Sequence, residues 1–158
     1  VNRPGEVLVA ALPRERARVM SDLIALTKPR VTVMVLVSTV VGYYVGLTGA
    51  PEYGRLVALL VGTLLAAGGT LALNQYWERD VDALMARTRT RPLPDGRLAA
   101  LEALLFGAAL TAVGLAVLAL GVGWLAAAVT AATFVLYVFA YTPLKLRTSL
   151  CTLVGAVP

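Results

Sequence analysis

The stretch LNQYWERDVDALMARTRTRPLPDG, Leu73–Gly96, decides how the rest of the chain is read. It opens inside a 22-residue uncharged run, Leu56–Trp77, and then sets three carboxylates and four arginines between Glu78 and Arg91. Carboxylates at the edge of a membrane are costly to desolvate, so their presence there asks for a use.

That the run is a membrane span follows from the outline of the whole chain. Of 158 residues, 59% are hydrophobic and 15% charged, and the mean hydropathy is +0.80, far more apolar than a soluble domain. The charges fall in blocks, with none in Val31–Pro51, Leu56–Trp77 or Ala103–Leu144. The first two runs, of 21 and 22 residues, are each long enough to cross a hydrocarbon core of about 30 Å as a helix. The third, of 42 residues, reads as two spans joined at the turn LGVGW, Leu120–Trp124. The expected fold is therefore all-α, a polytopic transmembrane helix bundle. Its predicted spans cover about Pro29–Gly46, Arg55 to beyond Trp77, Leu98–Leu120 and Val122–Ala140, followed by a polar loop YTPLKLRTS. The segment 1–27 is expected to be a mobile, amphipathic, cytoplasmic arm ahead of the bundle at 28–158. The apolar residues after Arg147, ending in LVGAVP, read as the start of a fifth span, and the first residue, Val1, is not Met. Together they suggest a chain truncated at the C-terminus.

The net charge of +5 does not point to nucleic acid. Six of the 14 basic residues precede Val31, five lie between Arg79 and Arg97, and two are Lys145 and Arg147, leaving Arg55 alone on the other side. This is the positive-inside pattern, which puts the N-terminus and the loops after the second and fourth spans in the cytoplasm. Cys151 is the single cysteine and there is no histidine. A disulfide framework, a thiolate metal site and a histidine proton shuttle are thereby excluded for this chain. No long apolar signal core is present near the start, and a bacterial inner-membrane protein is the simplest reading.

If the second helix continues past Trp77, Asn74, Glu78 and Asp82 stand at i, i+4 and i+8 on one face, and Asp80 points nearly the opposite way. An amide and two carboxylates then step from membrane depth to the water interface. Such hard oxygen donors suit Mg²⁺, which keeps waters and bridges to substrate phosphates. Arg87, Arg89 and Arg91 follow closely and suit bidentate phosphate binding. Acids and arginines without His or Cys make the chemistry of a metal–diphosphate site. A plainer reading stands beside it, in which the arginines set topology and the acids pair with them as a solvated face. Tyr43, Tyr44, Trp77 and Trp124 read as interfacial belt residues, and Cys151 as packing.

The same residues resemble a known family. NQYWERDVDALMARTRTRPLP is similar to the first acidic motif of the intramembrane UbiA-type prenyltransferases, N-x-x-x-D/E-x-x-x-D followed by R-T-x-x-R-P-L. With Glu78 in the second acidic position, and with LTKPRVTVMVL (Leu26–Leu36) and YTPLKLRTSLCTLVGAVP (Tyr141–Pro158), it is most similar to the haem-farnesylating branch. The resemblance implies a bundle of about nine helices with a second acidic motif beyond this chain. It implies Mg²⁺ held by Asn74, Glu78 and Asp82 as the catalytic and metal residues. Farnesyl diphosphate would be bound by Arg87, Arg91, Lys145, Arg147 and Tyr141, with haem B as acceptor. Membrane lipid and a haem A synthase or terminal-oxidase assembly pathway are the other implied partners, with no nucleic acid. Half a cavity alone is expected to be inactive. Two alternatives remain open: a sibling that prenylates another acceptor such as an aromatic quinone precursor, and a non-catalytic membrane scaffold.

Overall fold

The computed structural model describes residues 18–145. Within them the chain is helical throughout its ordered elements. These are α1 (Arg18–Leu26), α2 (Pro29–Val45), α3 (Tyr53–Leu84), α4 (Ala100–Gly121) and α5 (Trp124–Val135), then a π-helical segment Leu136–Tyr141 and a last turn α6 (Thr142–Lys145). Three helices are long and apolar enough to cross a membrane: α3, α4, and the continuous helix from Trp124 to Lys145. A fourth is reached when α1 and α2, bent by 49° at Thr27–Lys28, are taken as one span. The bundle is thus all-α and multi-pass. The expected fifth span, with Arg147 and Cys151, lies outside the described residues.

At 32 residues, α3 is about 48 Å long, well beyond the hydrocarbon thickness. Glu78 lies 23 residues after Arg55, so about 35 Å of helix separates Arg55 from the first site carboxylate. Extra length is what carries the acids out to the interface.

Glycine sets how closely α3 and α4 approach. Gly62 and Gly69 on α3 face Gly114 and Gly107 on α4, and all four are buried. A Cβ added to Gly114 would stand 2.5 Å from the backbone nitrogen of Ala66, and one on Gly69 would stand 2.6 Å from the Gly107 carbonyl. Small residues at these crossings let two backbones touch, which is how helices associate where no hydrophobic drive separates protein from lipid. The turn into α5 passes through Gly123 at φ 138°, ψ 160°, a conformation closed to residues with a Cβ. Arg55 Nη2 donates to the Val122 carbonyl at 2.8 Å, satisfying an acceptor that the end of α4 leaves open. On the same side the Tyr43 hydroxyl bridges the backbone N–H and carbonyl of Glu52, at 2.9 and 3.0 Å, and fastens the α2–α3 loop.

At the opposite end a small core holds α1, α3 and the arginine loop together. Leu26, Ala72, Leu93, Leu98 and Ala103 are buried against one another, with Leu23, Tyr76 and Phe106 packed at the margin. Burying a leucine contributes about 1.5–3 kcal/mol, so Leu26, Leu93 and Leu98 anchor the loop firmly. Gln75 Nε2 donates to the Leu26 carbonyl at 2.7 Å. Arg97 reaches from the loop to Asp22 of α1 at 2.8 Å while its other nitrogens hold Asp95 and the Thr90 carbonyl.

Two expectations are corrected here. The arm through Thr27 is not mobile over residues 18–26, which form α1. Leu23 and Leu26 share one helical face on the core, and buried Asp22 is paired with Arg97. Nor does the fourth span end at Ala140 in a polar loop, because the helix runs on to Lys145. Pro143 has no N–H to continue an α ladder. The preceding i→i+5 register accommodates it, and Pro143 then sits in the first turn of α6, where proline is tolerated.

Candidate functional site

The last three turns of α3 build the site. Asn74, Glu78 and Asp82 are exposed by only 2%, 6% and 5%, whereas the Asp80 side chain is 84% exposed. The helical phase expected of the sequence is the one observed. Buried carboxylates require compensation, and each finds a cation. Lys145 Nζ lies 2.9 Å from Glu78 Oε1, and Arg91 Nη1 is paired with Asp82 Oδ2. Asn74 Nδ2 donates to Glu78 Oε2 at 3.1 Å, so both Glu78 oxygens are engaged.

Local sequence explains how the two cations arrive. After Leu84 the chain turns back because the Thr88 hydroxyl donates to the Asp82 carbonyl at 2.8 Å, closing the open end of α3. Thr88 is 2% exposed, and three residues later Arg91 faces the Asp82 carboxylate. Leu93, in the RPL that follows, is buried in the small core. Lys145 arrives from the far end of the fourth helix, one turn after Tyr141 and within the same continuous span.

Other predicted residues are placed differently. Arg87 and Arg89 are exposed on the loop and are not among the cations paired to the site acids. Tyr141 is half-buried and stacks on Tyr137 with ring centroids 5.2 Å apart and planes at 27°. Arg147 lies outside the described residues. The structure therefore brings Asn74, Glu78, Asp82, Arg91 and Lys145 together and leaves Arg87 apart.

Three residues that sequence reasoning passed over join them. Thr142, 2% exposed, donates its hydroxyl to Asn74 Oδ1 at 2.9 Å. Thr88 shapes the loop as described. Lys28 holds a left-handed backbone at φ 47°, ψ 67°, a conformation costing roughly 1–2 kcal/mol for a residue with a Cβ. Its position before Pro29 gave no sign of this, since proline steers the preceding residue to extended backbone and not to the left-handed region. Lying in the bend between α1 and α2, its ammonium sits among the charges of Arg91, Glu78, Asp82 and Lys145.

One turn deeper than Asn74, an apolar cavity of about 410 Å³ opens between α2, α3 and α5. Thr70, Leu71 and Tyr137 line it nearest the polar cluster, and Val31, Val35 and Phe134 form much of its wall. Its volume is in the range of small-molecule sites. Among the described residues no three His, Cys, Asp or Glu side chains converge on one point. The donor set is instead two carboxylates and an amide, with lysine and arginine interleaved.

A multi-pass helical membrane protein with an acid–amide–cation cluster over an apolar cavity defines the class. The chain belongs to the UbiA prenyltransferase family, whose model matches residues 35–158. It is similar to the protoheme IX farnesyltransferase of Solibacter usitatus, 48% identical over 148 residues, covering 88% of this chain and 51% of that protein. The protein of the same name from Myxococcus xanthus is 51% identical over 144 residues, covering 89% and 47%. That from Symbiobacterium thermophilum is 38% identical over 149 residues, covering 91% and 50%. The chain thus spans about half the length of these curated relatives. No solved structure matches it.

Proposed function

We propose that this chain forms the diphosphate-handling half of an Mg²⁺-dependent intramembrane prenyltransferase that moves farnesyl from farnesyl diphosphate to haem B, giving haem O. The observation that carries the reading is the buried face of Asn74, Glu78 and Asp82 with Arg91 and Lys145 laid against its carboxylates. The names of the relatives support the choice of donor and acceptor.

The residues fit the metal. Two carboxylates and an amide oxygen on successive turns offer hard donors too few for a complete shell, and Mg²⁺ characteristically fills the remainder with water and substrate phosphate. When bound, the cation supplies Lewis-acid stabilisation of the departing diphosphate. Glu78 and Asp82 would hold it from one helix. Arg91 and Lys145, now neutralising those acids, are within a side-chain rotation of taking phosphate oxygens instead, and Lys28 adds a third positive charge to the same region. Positive groups fixed where negative charge develops lower the barrier to leaving.

In the reaction the farnesyl C1–O bond breaks and its electron pair leaves with diphosphate. The haem vinyl group forms a new bond to C1, and water captures the resulting cation with loss of a proton, completing the hydroxyethylfarnesyl group. The apolar cavity beneath Asn74 holds isoprenoid carbon and keeps water from the allylic cation. Membrane insertion with a cytoplasmic N-terminus, in a bacterial inner membrane, completes the proposal.

The test uses the intact gene product in membranes with haem B, farnesyl diphosphate and Mg²⁺, with and without chelator, and mass spectrometry for haem O. Metal-dependent haem O establishes reaction and acceptor together. Diphosphate release that requires a different acceptor would overturn the haem assignment. The absence of both product and release from properly inserted protein would overturn the enzyme reading.

A further inference from the structure

The most informative unassigned contact in the molecule joins the fourth helix to the site. Thr142 follows directly on the π-helical segment, and its hydroxyl lies 2.9 Å from two acceptors, Asn74 Oδ1 and the Tyr137 carbonyl. A hydroxyl has one hydrogen to give and two lone pairs to receive. The Tyr137 carbonyl already takes the Thr142 backbone N–H in the i→i+5 register, so the hydroxyl hydrogen is available to Asn74. On its other side the Asn74 amide donates Nδ2 to Glu78 Oε2 at 3.1 Å. The amide oxygen is therefore turned away from Glu78, toward Thr142.

That orientation suits the cluster in which Lys145 neutralises Glu78. It does not suit a divalent cation at Glu78, to which Asn74 has to offer oxygen rather than NH₂. Turning the amide over reverses both of its ends, and a side chain 2% exposed has no water to absorb the change. With most neighbours a buried donor would then face nothing, at a cost of about 1–3 kcal/mol. Thr142 removes that obstacle. Its oxygen can accept from the turned Nδ2 while its hydrogen swings to the Tyr137 carbonyl, which the π register holds at the same 2.9 Å.

We propose that Thr142 is a positioning residue, a hydroxyl rotor that satisfies the buried Asn74 amide in either orientation and so lets Asn74 present its oxygen toward Glu78 when a divalent cation enters. The proposal rests on the reading of Asn74 and Glu78 as cation ligands.

The experiment measures Mn²⁺ binding to the full-length protein by electron paramagnetic resonance in the presence of inorganic diphosphate. It compares wild type with Thr142→Val, Thr142→Ala, Thr142→Ser and the ligand variant Glu78→Gln. The hydroxyl is missed in both orientations, but an under-satisfied amide oxygen at rest is tolerated better than the orphaned N–H of the turned amide, and loss of a hydrogen bond behind a metal ligand weakens metal affinity about 10–100-fold. The expected result is that weakening in Thr142→Val and Thr142→Ala, near-wild-type affinity in Thr142→Ser, and loss of binding in Glu78→Gln. Two variants that differ in size but share the missing hydroxyl separate the hydrogen bond from a packing defect. Wild-type affinity in Thr142→Val or Thr142→Ala would overturn the rotor while leaving the metal site intact, as would a Ser variant as weak as Val. Unchanged binding in Glu78→Gln would overturn the metal reading itself, and the rotor with it.

Discussion

Replacing Gly69 by alanine tests whether the α3–α4 contact is as close as the structure requires. A Cβ at this position would lie 2.4 Å from Thr111 Oγ1, 2.6 Å from the Gly107 carbonyl oxygen and 2.7 Å from the Thr111 backbone nitrogen. The Thr111 hydroxyl can rotate away, but only by giving up its 2.9 Å bond to Gly107. The other two atoms are backbone and cannot yield. Ordinary contact begins near 3.4 Å, so α3 and α4 must part by close to an ångström along their tightest crossing. Overpacking of this kind costs about 1–3 kcal/mol, and alanine's better helix propensity returns no more than about 1 kcal/mol. A net loss of about 1 kcal/mol corresponds to a fall of about 2–4 °C in Tm at this chain size. Thermal unfolding of the intact protein in detergent, followed by near-ultraviolet circular dichroism, reads it directly. Gly54→Ala is the control, because a Cβ there meets nothing within 4 Å, and its Tm is expected to hold or rise slightly. A Gly69→Ala variant that melts with the wild type would refute the close crossing, and with it the account of how α3 is aimed at the site.

Three further outcomes are expected. Glu78→Gln and Asp82→Asn each lower farnesyl transfer by a factor on the order of 10²–10³, as loss of a preorganised electrostatic group does, with membrane insertion unchanged; full activity in both would sink the metal assignment. Chelation of divalent cations abolishes transfer in membranes and added Mg²⁺ restores it, whereas turnover in excess chelator would exclude a divalent requirement. Arg97→Ala releases the arginine loop from α1, leaves Asp22 unpaired, and costs about 1–3 kcal/mol. Trypsin should then cut after Arg87 and Arg89 several-fold faster, and an unaltered cleavage rate would mean that Leu93 and Leu98 hold the loop unaided.

Much of the architecture was legible because membrane spans announce themselves through charge-free length, and because helical phase is a local property. Asn74, Glu78 and Asp82 shared a face as soon as the helix was extended past Trp77. What could not be read was long-range. Nothing local distinguishes Arg91, which meets Asp82, from Arg87, which stays in solvent; the difference is made by the Thr88 hydroxyl and the burial of Leu93. The π register was hidden for a similar reason. The polar run YTPLKLRTS read as a loop, but the helix continues into it as far as Lys145. Lys145 therefore reaches Glu78 from a helix end and not from a flexible connection. Thr142 gave no sign at all, since a threonine in an apolar helix ordinarily bonds back to its own chain.

The acids at the membrane edge are tolerated because the cluster neutralises itself. Two buried carboxylates are matched by two cations drawn from different elements, one from the loop after α3 and one from the end of the fourth helix. Breaking such a pair by removing one partner is costly, but exchanging partners is not, provided charge remains balanced. A metal–diphosphate ligand is the kind of partner that permits exchange. On the proposed function, its cation would replace lysine and arginine at the carboxylates, and its phosphate oxygens would receive the lysine and arginine so released. No buried charge is left alone at either stage. The same logic explains why Asn74 is an amide and not a third acid. Another carboxylate would repel Glu78 at close range, whereas the amide donates to Glu78 at 3.1 Å and would offer its oxygen if turned over. On this reading the resting ion pairs are a substitute for the substrate complex, built from the groups that will bind it.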